Sequence, residues 1–401
     1  MTRNEKLLIA VNALYFLGAT MSGVFVNVYL YSFTGSLTEM TVYAMIRFGL
    51  FPLGFLLGGY FSKRKHLAWT LTLGLLIIIA TMGFLLAFNT MFATHYYFIY
   101  LVGVFFGIGE GMYWFSVNNM SLAVTDKVTR GMFIATMSIT NTTSTVVAPS
   151  LAALIVNFAP SETQGYLFIF QVVIAVHSVT AYLATRISVK ANPAPYTLLD
   201  KFNTKRDPQW RYVMNSHLLF GIRDSITLVL TGLMLYAAIG NNGSLYSKLL
   251  IGFAVIGIIA SAIVRKVQTR RNRLTLYTYG AFVLFAATMI LVLVPNLTGG
   301  LVYGVLNAFA APFFINPYSI IVMNAMQDYT EKGSVYGHMI IKEVMLNIGR
   351  LTGMAFILLF NVFLPANLYM PIAVFSSAIF APILVLYANR YHHRRDALKA
   401  R

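Results

Sequence analysis

Twelve apolar runs of about 20 residues or more divide this chain, at roughly residues 7–32, 38–61, 67–88, 95–123, 131–157, 165–186, 212–238, 246–264, 274–294, 298–325, 337–362 and 367–389. At about 1.5 Å of rise per residue, a helix of that length crosses the ~30 Å of bilayer hydrocarbon. No water reaches the backbone there, so such a run satisfies its own amides and carbonyls only as a helix. A chain that is 58% hydrophobic and 10% charged, with mean hydropathy +0.72, also has too little polar surface for a water-soluble globule. The fold class that follows is an all-α integral membrane protein with twelve transmembrane helices. The first run is too long for a signal-peptide core and has no obvious cleavage site, so it reads as a retained span.

The net charge of +17 would suit a nucleic-acid binder, but its placement says otherwise. With the N-terminus inside, 24 of the 29 Lys and Arg fall on the cytoplasmic side of the twelve runs, and the opposite loops hold only Lys248. Basic residues accumulate in cytoplasmic loops, so both termini are placed in the cytoplasm of a multi-pass cell-membrane protein. The excess charge then serves topology and attraction to anionic lipid, and no nucleic-acid partner is expected.

Two stretches about two hundred residues apart repeat one design: residues 103–154, with Glu110 inside the first apolar segment, and residues 304–358. Leu17-Gly18 before Ser22 matches Phe220-Gly221 before Ser225 at an offset of 203; Gly131 and Asn141 match Gly337 and Asn347 at 206. Similar offsets at separated places mark a duplicated chain, and parallel halves are one way to build a secondary transporter. The expected organisation is a six-helix bundle over 1–186, a cytoplasmic linker over 187–211 and a second bundle over 212–401 with a short basic tail. Pro193, Pro195 and mixed charges make the linker a connector, and Leu198 to Phe202 is its one stretch suited to a short interfacial helix.

Seven charged residues lie deep within the runs, away from their ends: Arg47, Glu110, Arg223, Asp224, Lys342, Glu343 and Arg350. Each costs about 2.5–3.5 kcal/mol at mid-bilayer on insertion scales, so each needs a partner or a watery cavity. Gly103, Gly107, Glu110, Trp114 and Val117 share one helix face. The small residues there admit a neighbouring helix, and the indole offers a stacking or cation-binding surface. Glu110 is then a proton site or cargo contact, or else the structural partner of Arg47. Arg223 and Asp224 point about 100° apart on a helix, so each should reach a different neighbour. Glu343, Asn347 and Arg350, at i, i+4 and i+7, form a polar stripe. Asn118, Asn316 and Tyr318 add neutral hydrogen-bonding groups, which serve cargo or act as interhelical glue.

Twelve spans in a six-and-six duplication, cytoplasmic ends and the basic run Gly58-Gly59-Tyr60-Phe61-Ser62-Lys63-Arg64-Lys65 resemble the major facilitator superfamily over the whole chain. The superfamily's 2–3 loop pattern survives here without its Asp and second Gly, which makes Lys63, Arg64 and Lys65 the gating loop that the resemblance implies. Ala148-Pro149-Ser150-Leu151-Ala152-Ala153 is similar to an antiporter motif with its glycines replaced, which slightly favours export. Asn27-Val28-Tyr29-Leu30, Gly109 to Trp114, Gly221-Ile222-Arg223-Asp224, Asn316-Pro317-Tyr318 and Lys342 to Arg350 together resemble a mostly Gram-positive branch of the superfamily. That branch fixes architecture and not cargo. In the superfamily, helices 3, 6, 9 and 12 face lipid, and none of the seven charges falls in them.

The expected function is secondary active transport of a small or amphiphilic molecule by alternating access, coupled to protons through Glu110, Asp224 or Glu343. Arg47, Trp114, Asn118, Arg223, Asn316, Tyr318, Asn347 and Arg350 are the expected substrate contacts. A lipid or glycolipid flippase on the same fold, or a membrane sensor that transports nothing, are the alternatives. The chain has no cysteine, so thiolate metal sites and iron–sulfur clusters are excluded. It has no GxxxxGK[ST] loop, and the glycines around Glu110 lack dinucleotide spacing. No enzyme activity, cofactor or metal is expected, and the partners are substrate, protons and membrane lipids, acting on a monomer.

Overall fold

The computed structural model describes residues 1–34, 37–64, 66–189, 197–203, 207–240, 243–331 and 335–399. Each apolar run forms a long helix: α1 Arg3–Thr34, α2 Leu37–Arg64, α3 Leu67–Ala87, α4 Phe98–Val124, α5 Arg130–Phe158, α6 Glu162–Ala184, α7 Pro208–Ala238, α8 Gly243–Val267, α9 Arg273–Leu293, α10 Leu297–Glu331, α11 Val335–Phe363 and α12 Ala366–Lys399. All twelve are long and apolar enough to cross a membrane, and the described residues contain no strand. The chain is thus an all-α membrane protein. Large apolar side chains face outward along it, with Trp69 59% exposed on α3 and Leu386 57% on α12, while Glu110, Asn316 and Glu343 are buried. Lipid as solvent reverses the usual arrangement, because apolar surface gains nothing there by hiding.

The helix ends follow local chemistry. Thr2 and Glu5 form a reciprocal cap on α1: the Glu5 amide donates to Thr2 Oγ1 at 3.2 Å and the Thr2 amide to Glu5 Oε2 at 2.5 Å. Ser161 accepts from the Gln164 amide at the start of α6, and Asn296 accepts from the Gly299 amide at the start of α10. Asp207 caps α7 through the Trp210 amide at 2.9 Å, with Pro208 in the first turn, where a missing amide hydrogen is harmless. In the linker a 3-10 turn forms over Leu199–Phe202, the stretch read as helix-capable, and the Trp210 indole donates to the Lys201 carbonyl at 2.5 Å. This part of the linker is therefore held in place, whereas composition alone reads as a free connector.

Contacts between Cα atoms divide the chain into two units. The first comprises Met1–Asp126, Thr140–Tyr196 and Thr330–Ile340; the second comprises Lys127–Ile139, Thr197–Tyr329 and Ile341–Arg401. The two exchanged stretches hold Gly131 and Gly337, which correspond in the repeat. In the first unit α4 packs on α2 and α3, and α6 on α1 and α3; in the second α12 packs on α7 and α9.

Glycine at the helix crossings sets how close these helices come. A Cβ on Gly107 would lie 2.2 Å from the Arg47 carbonyl oxygen, and one on Gly111 2.2 Å from that of Phe51. With Gly103, these residues form a stripe along α4 that lets α2 approach backbone to backbone. In the second unit a comparably close crossing joins α7 to α11. There a Cβ on Gly221 would sit 2.1 Å from the Leu346 carbonyl oxygen, and one on Gly349 2.2 Å from that of Leu218.

Candidate functional site

Each of these two crossings carries an ion pair. On the α2–α4 crossing, Glu110 lies one turn beyond Gly107 and meets Arg47 as a fork. Nε donates to Oε2 at 2.9 Å and Nη2 to Oε1 at 2.5 Å. Both carboxylate oxygens are engaged, and the Glu110 side chain is only 10% exposed. The guanidinium carbon also lies 5.4 Å from the Phe106 ring centroid, where the ring face attracts a cation. Trp114, one turn further along α4, is half-buried and packs edge-on against Tyr15 at 6.0 Å and Phe16 at 5.9 Å. Tyr15 stacks on Tyr113 at 3.6 Å and lies 5.7 Å from the His177 ring. An aromatic wall from α1 and α4 thus flanks the pair.

On the α7–α11 crossing the contacts form a chain. Arg350 Nε donates to Asp224 Oδ2 at 2.9 Å, and its Nη1 to Asn347 Oδ1 at 3.4 Å. Asn347 Nδ2 donates to the Glu343 carbonyl at 3.0 Å and to Glu343 Oε1 at 3.4 Å. Lys342 Nζ lies 3.6 Å from Glu343 Oε2. Five residues on two helices therefore link a carboxylate that is 34% exposed to one that is buried. Lys342, which sequence position alone would let snorkel toward headgroups, is itself buried beside Glu343. The polar stripe on α11 is real, and the helix period created it.

Arg223 and Asp224 diverge as the helix geometry requires. Asp224 turns to α11, while Arg223 places its guanidinium 5.2 Å from the Phe314 ring centroid on α10. Among the described residues Arg223 makes no ion pair and no hydrogen bond. It borders a small polar cavity of about 10 Å³, the room of about one water, with Thr227, Thr231, Tyr303, Asn307 and Ser377. Thr227–Thr231 form a π-helical turn, a break in the regular ladder that often marks functional sites. The Thr231 hydroxyl there is buried without a partner. Sequence periodicity could not find this turn, because the span around it is apolar nearly all round, so the phase shift that a one-residue widening brings leaves little mark.

The remaining candidates scatter. Asn118 is half-buried and makes no hydrogen bond among the described residues. Asn316 is buried with its amide nitrogen unpartnered. The Tyr318 hydroxyl lies 3.3 Å from His217 Nδ1, and its ring stacks on Phe220 at 4.9 Å. Lys63 is exposed at the end of α2; the Arg64 side chain, Lys65 and the side chains of Asn27 to Leu30 lie outside the described residues. Sequence reasoning misses two buried histidines. His177 on α6 is 1% exposed with Nδ1 unpartnered, and a Cβ on Gly18 would stand 2.7 Å from its ring. His217 on α7 sits at Nδ1 2.8 Å from the Val213 carbonyl. A glycine facing a histidine across two helices leaves no mark in the order of residues.

The family model for the Major Facilitator Superfamily matches residues 8–353. An uncharacterized protein of Bacillus subtilis (strain 168), YqgE, is 23% identical over 389 residues, covering 95% of this chain and 88% of that protein. Among solved structures, the proton:xylose symporter XylE has a TM-score of 0.78 at 12% identity, with 96% of this chain and 95% of that one covered. A variant of the Escherichia coli fucose:proton symporter FucP has a TM-score of 0.74 at 12% identity, covering 96% and 98%. At those identities the two structures share the fold.

Proposed function

The chain belongs to the Major Facilitator Superfamily, and from that premise we propose that it is a secondary active transporter of the cell membrane, moving a small anionic molecule by alternating access with coupling to protons. One observation carries the choice of cargo. Once Arg47 is matched to Glu110, Arg350 to Asp224 and Lys342 to Glu343, Arg223 is the mid-span cation left without a carboxylate. An unpaired guanidinium costs free energy in the low-dielectric interior, and an anionic group on the cargo recovers it. Its planar fork also suits carboxylate or phosphate better than a point charge would.

The proton site in this reading is Asp224. Glu110 has both oxygens committed to one guanidinium, so protonating it would strand a buried Arg47. Asp224 is bonded through one oxygen and is the more exposed of the two, and Arg350 keeps Asn347 as an acceptor when Asp224 takes a proton. The proton symporters that share the fold are consistent with such coupling. Pro149 in its antiporter-like setting favours export as the direction.

The test uses purified protein in proteoliposomes with a pH-sensitive dye in the lumen and a library of anionic, neutral and cationic metabolites outside. Anionic compounds should evoke proton flux, and Arg223→Gln should raise their apparent KM at least tenfold. Flux evoked by neutral or cationic compounds only, with Arg223→Gln unaltered, overturns the cargo class. Lipid translocation without any metabolite-driven flux would instead support a flippase.

A further inference from the structure

A second cationic cavity lies in the second unit, away from the mid-span pairs. It encloses about 1040 Å³ at the ends of α8 and α10 and the starts of α5, α7 and α9. Five cations line it, Lys127, Arg265, Arg270, Arg271 and Arg273, against one acid, Asp328. That acid is already occupied: Oδ1 accepts from Lys127 Nζ at 2.9 Å and Oδ2 from Gln209 Nε2 at 2.8 Å. Among the described residues none of the four arginines makes an ion pair. Arg273 is half-buried and its Nε is buried without an acceptor; Gln268 Oε1, on the same wall, is buried without a donor.

Topology explains part of this and not the rest. Positive loops hold one face of the chain on one side of the membrane, and for that purpose an arginine in water is sufficient. A guanidinium donor withdrawn from water with nothing to accept it is destabilising, and topology does not require it. Nor does it require the turn between α8 and α9 to be fixed. Yet Asn272 accepts from the Thr269 amide at 2.7 Å and donates to the Val267 carbonyl at 2.8 Å, pinning the backbone that presents Arg270 and Arg271. The cavity is also far too large for one halide. Several guanidinium forks, an unmet buried donor and an acceptor awaiting a hydroxyl match a group with charged oxygens and a neighbouring alcohol.

We propose that this cavity binds a phosphate group, carried either by an anionic phospholipid headgroup or by a soluble phosphate. Basic pockets between helix ends at one membrane face are a recurring site for acidic headgroups. The site is distinct from Arg223 and does not depend on the cargo assigned there.

The experiment compares full-length protein in zwitterionic phosphatidylcholine nanodiscs with and without phosphatidylglycerol, and separately with inorganic phosphate against chloride at equal ionic strength. The readouts are lipid retention by native mass spectrometry and the thermal midpoint. The pocket variant Arg270→Gln/Arg271→Gln/Arg273→Gln is compared with the control Arg3→Gln/Lys6→Gln/Arg390→Gln, which removes as much charge elsewhere. Retention of phosphatidylglycerol that falls about fivefold per pocket arginine removed, with the control unchanged, assigns the lipid source. Stabilisation by inorganic phosphate beyond chloride, lost only in the pocket variant, assigns the soluble source. Equal loss in both variants reduces the effect to bulk charge and overturns the site. Should the pocket variant not fold, wild-type protein that prefers neither phosphatidylglycerol nor phosphate overturns it equally.

Discussion

Glu110 and Asp224 each meet an arginine one helix away, and the difference in how they do so separates structure from chemistry. The Arg47–Glu110 fork uses both oxygens of a nearly buried carboxylate, so Glu110→Gln leaves a guanidinium stranded and should cost about 3 kcal/mol. Thermal unfolding of the purified protein checks this, and Arg47→Met/Glu110→Met should regain most of the loss, since apolar replacements of a buried pair are nearly neutral. Asp224→Asn should cost only about 1 kcal/mol, because the carboxylate is 34% exposed and singly bonded. Its effect belongs to transport: proton-coupled flux is lost while cargo exchange between two equal pools persists. If Asp224→Asn leaves coupling intact, Asp224 is not the proton site.

The long helices are placed by their apolar length, but their spacing is set by a few glycines. Gly221→Val would drive a side chain into the Leu346 carbonyl oxygen, 2.1 Å from the Cβ position, and backbone there cannot give way. Overpacking of this kind costs about 1–3 kcal/mol, and here it also separates Asp224 from Arg350. The thermal midpoint should fall and proton coupling should weaken together. Gly83 and Gly252 meet nothing within 4 Å, so alanine at either should be neutral or stabilising by up to about 1 kcal/mol through helix propensity. A fall in midpoint for Gly83→Ala as large as for Gly221→Val would refute the close-crossing account. The π-helical turn at Thr227–Thr231 is the other feature of α7 that pattern alone misses, since it alters hydrogen bonding and not hydrophobicity.

At the scale of the whole molecule, the absence of cysteine makes orientation directly measurable, because any single cysteine is the only thiol. With both ends in the cytoplasm, Thr90→Cys and Pro295→Cys should react in intact cells with a membrane-impermeant maleimide. Thr197→Cys and Arg390→Cys should react only after lysis. The reverse pattern would invert the topology and move the arginine-rich cavity to the outer face. The uneven distribution of Lys and Arg makes this orientation the expected one, and the six-and-six duplication is visible in the offsets between Gly131 and Gly337 and between Asn141 and Asn347.

Sequence alone determined the twelve helices, because in lipid the length of an apolar run and the demands of its own backbone leave one solution. It also determined which spans carry charge and that Glu343, Asn347 and Arg350 share a face, since helix period fixes both. Only the tertiary structure decided which charges meet. Whether Glu110 is bound by Arg47, whether Lys342 reaches headgroups or Glu343, and whether Arg223 is left unmatched all depend on how near two helices come. That distance is set at backbone contacts such as Gly107 on Arg47 and Gly221 on Leu346, between residues far apart in the chain, where no local pattern of hydrophobicity or charge records the pairing.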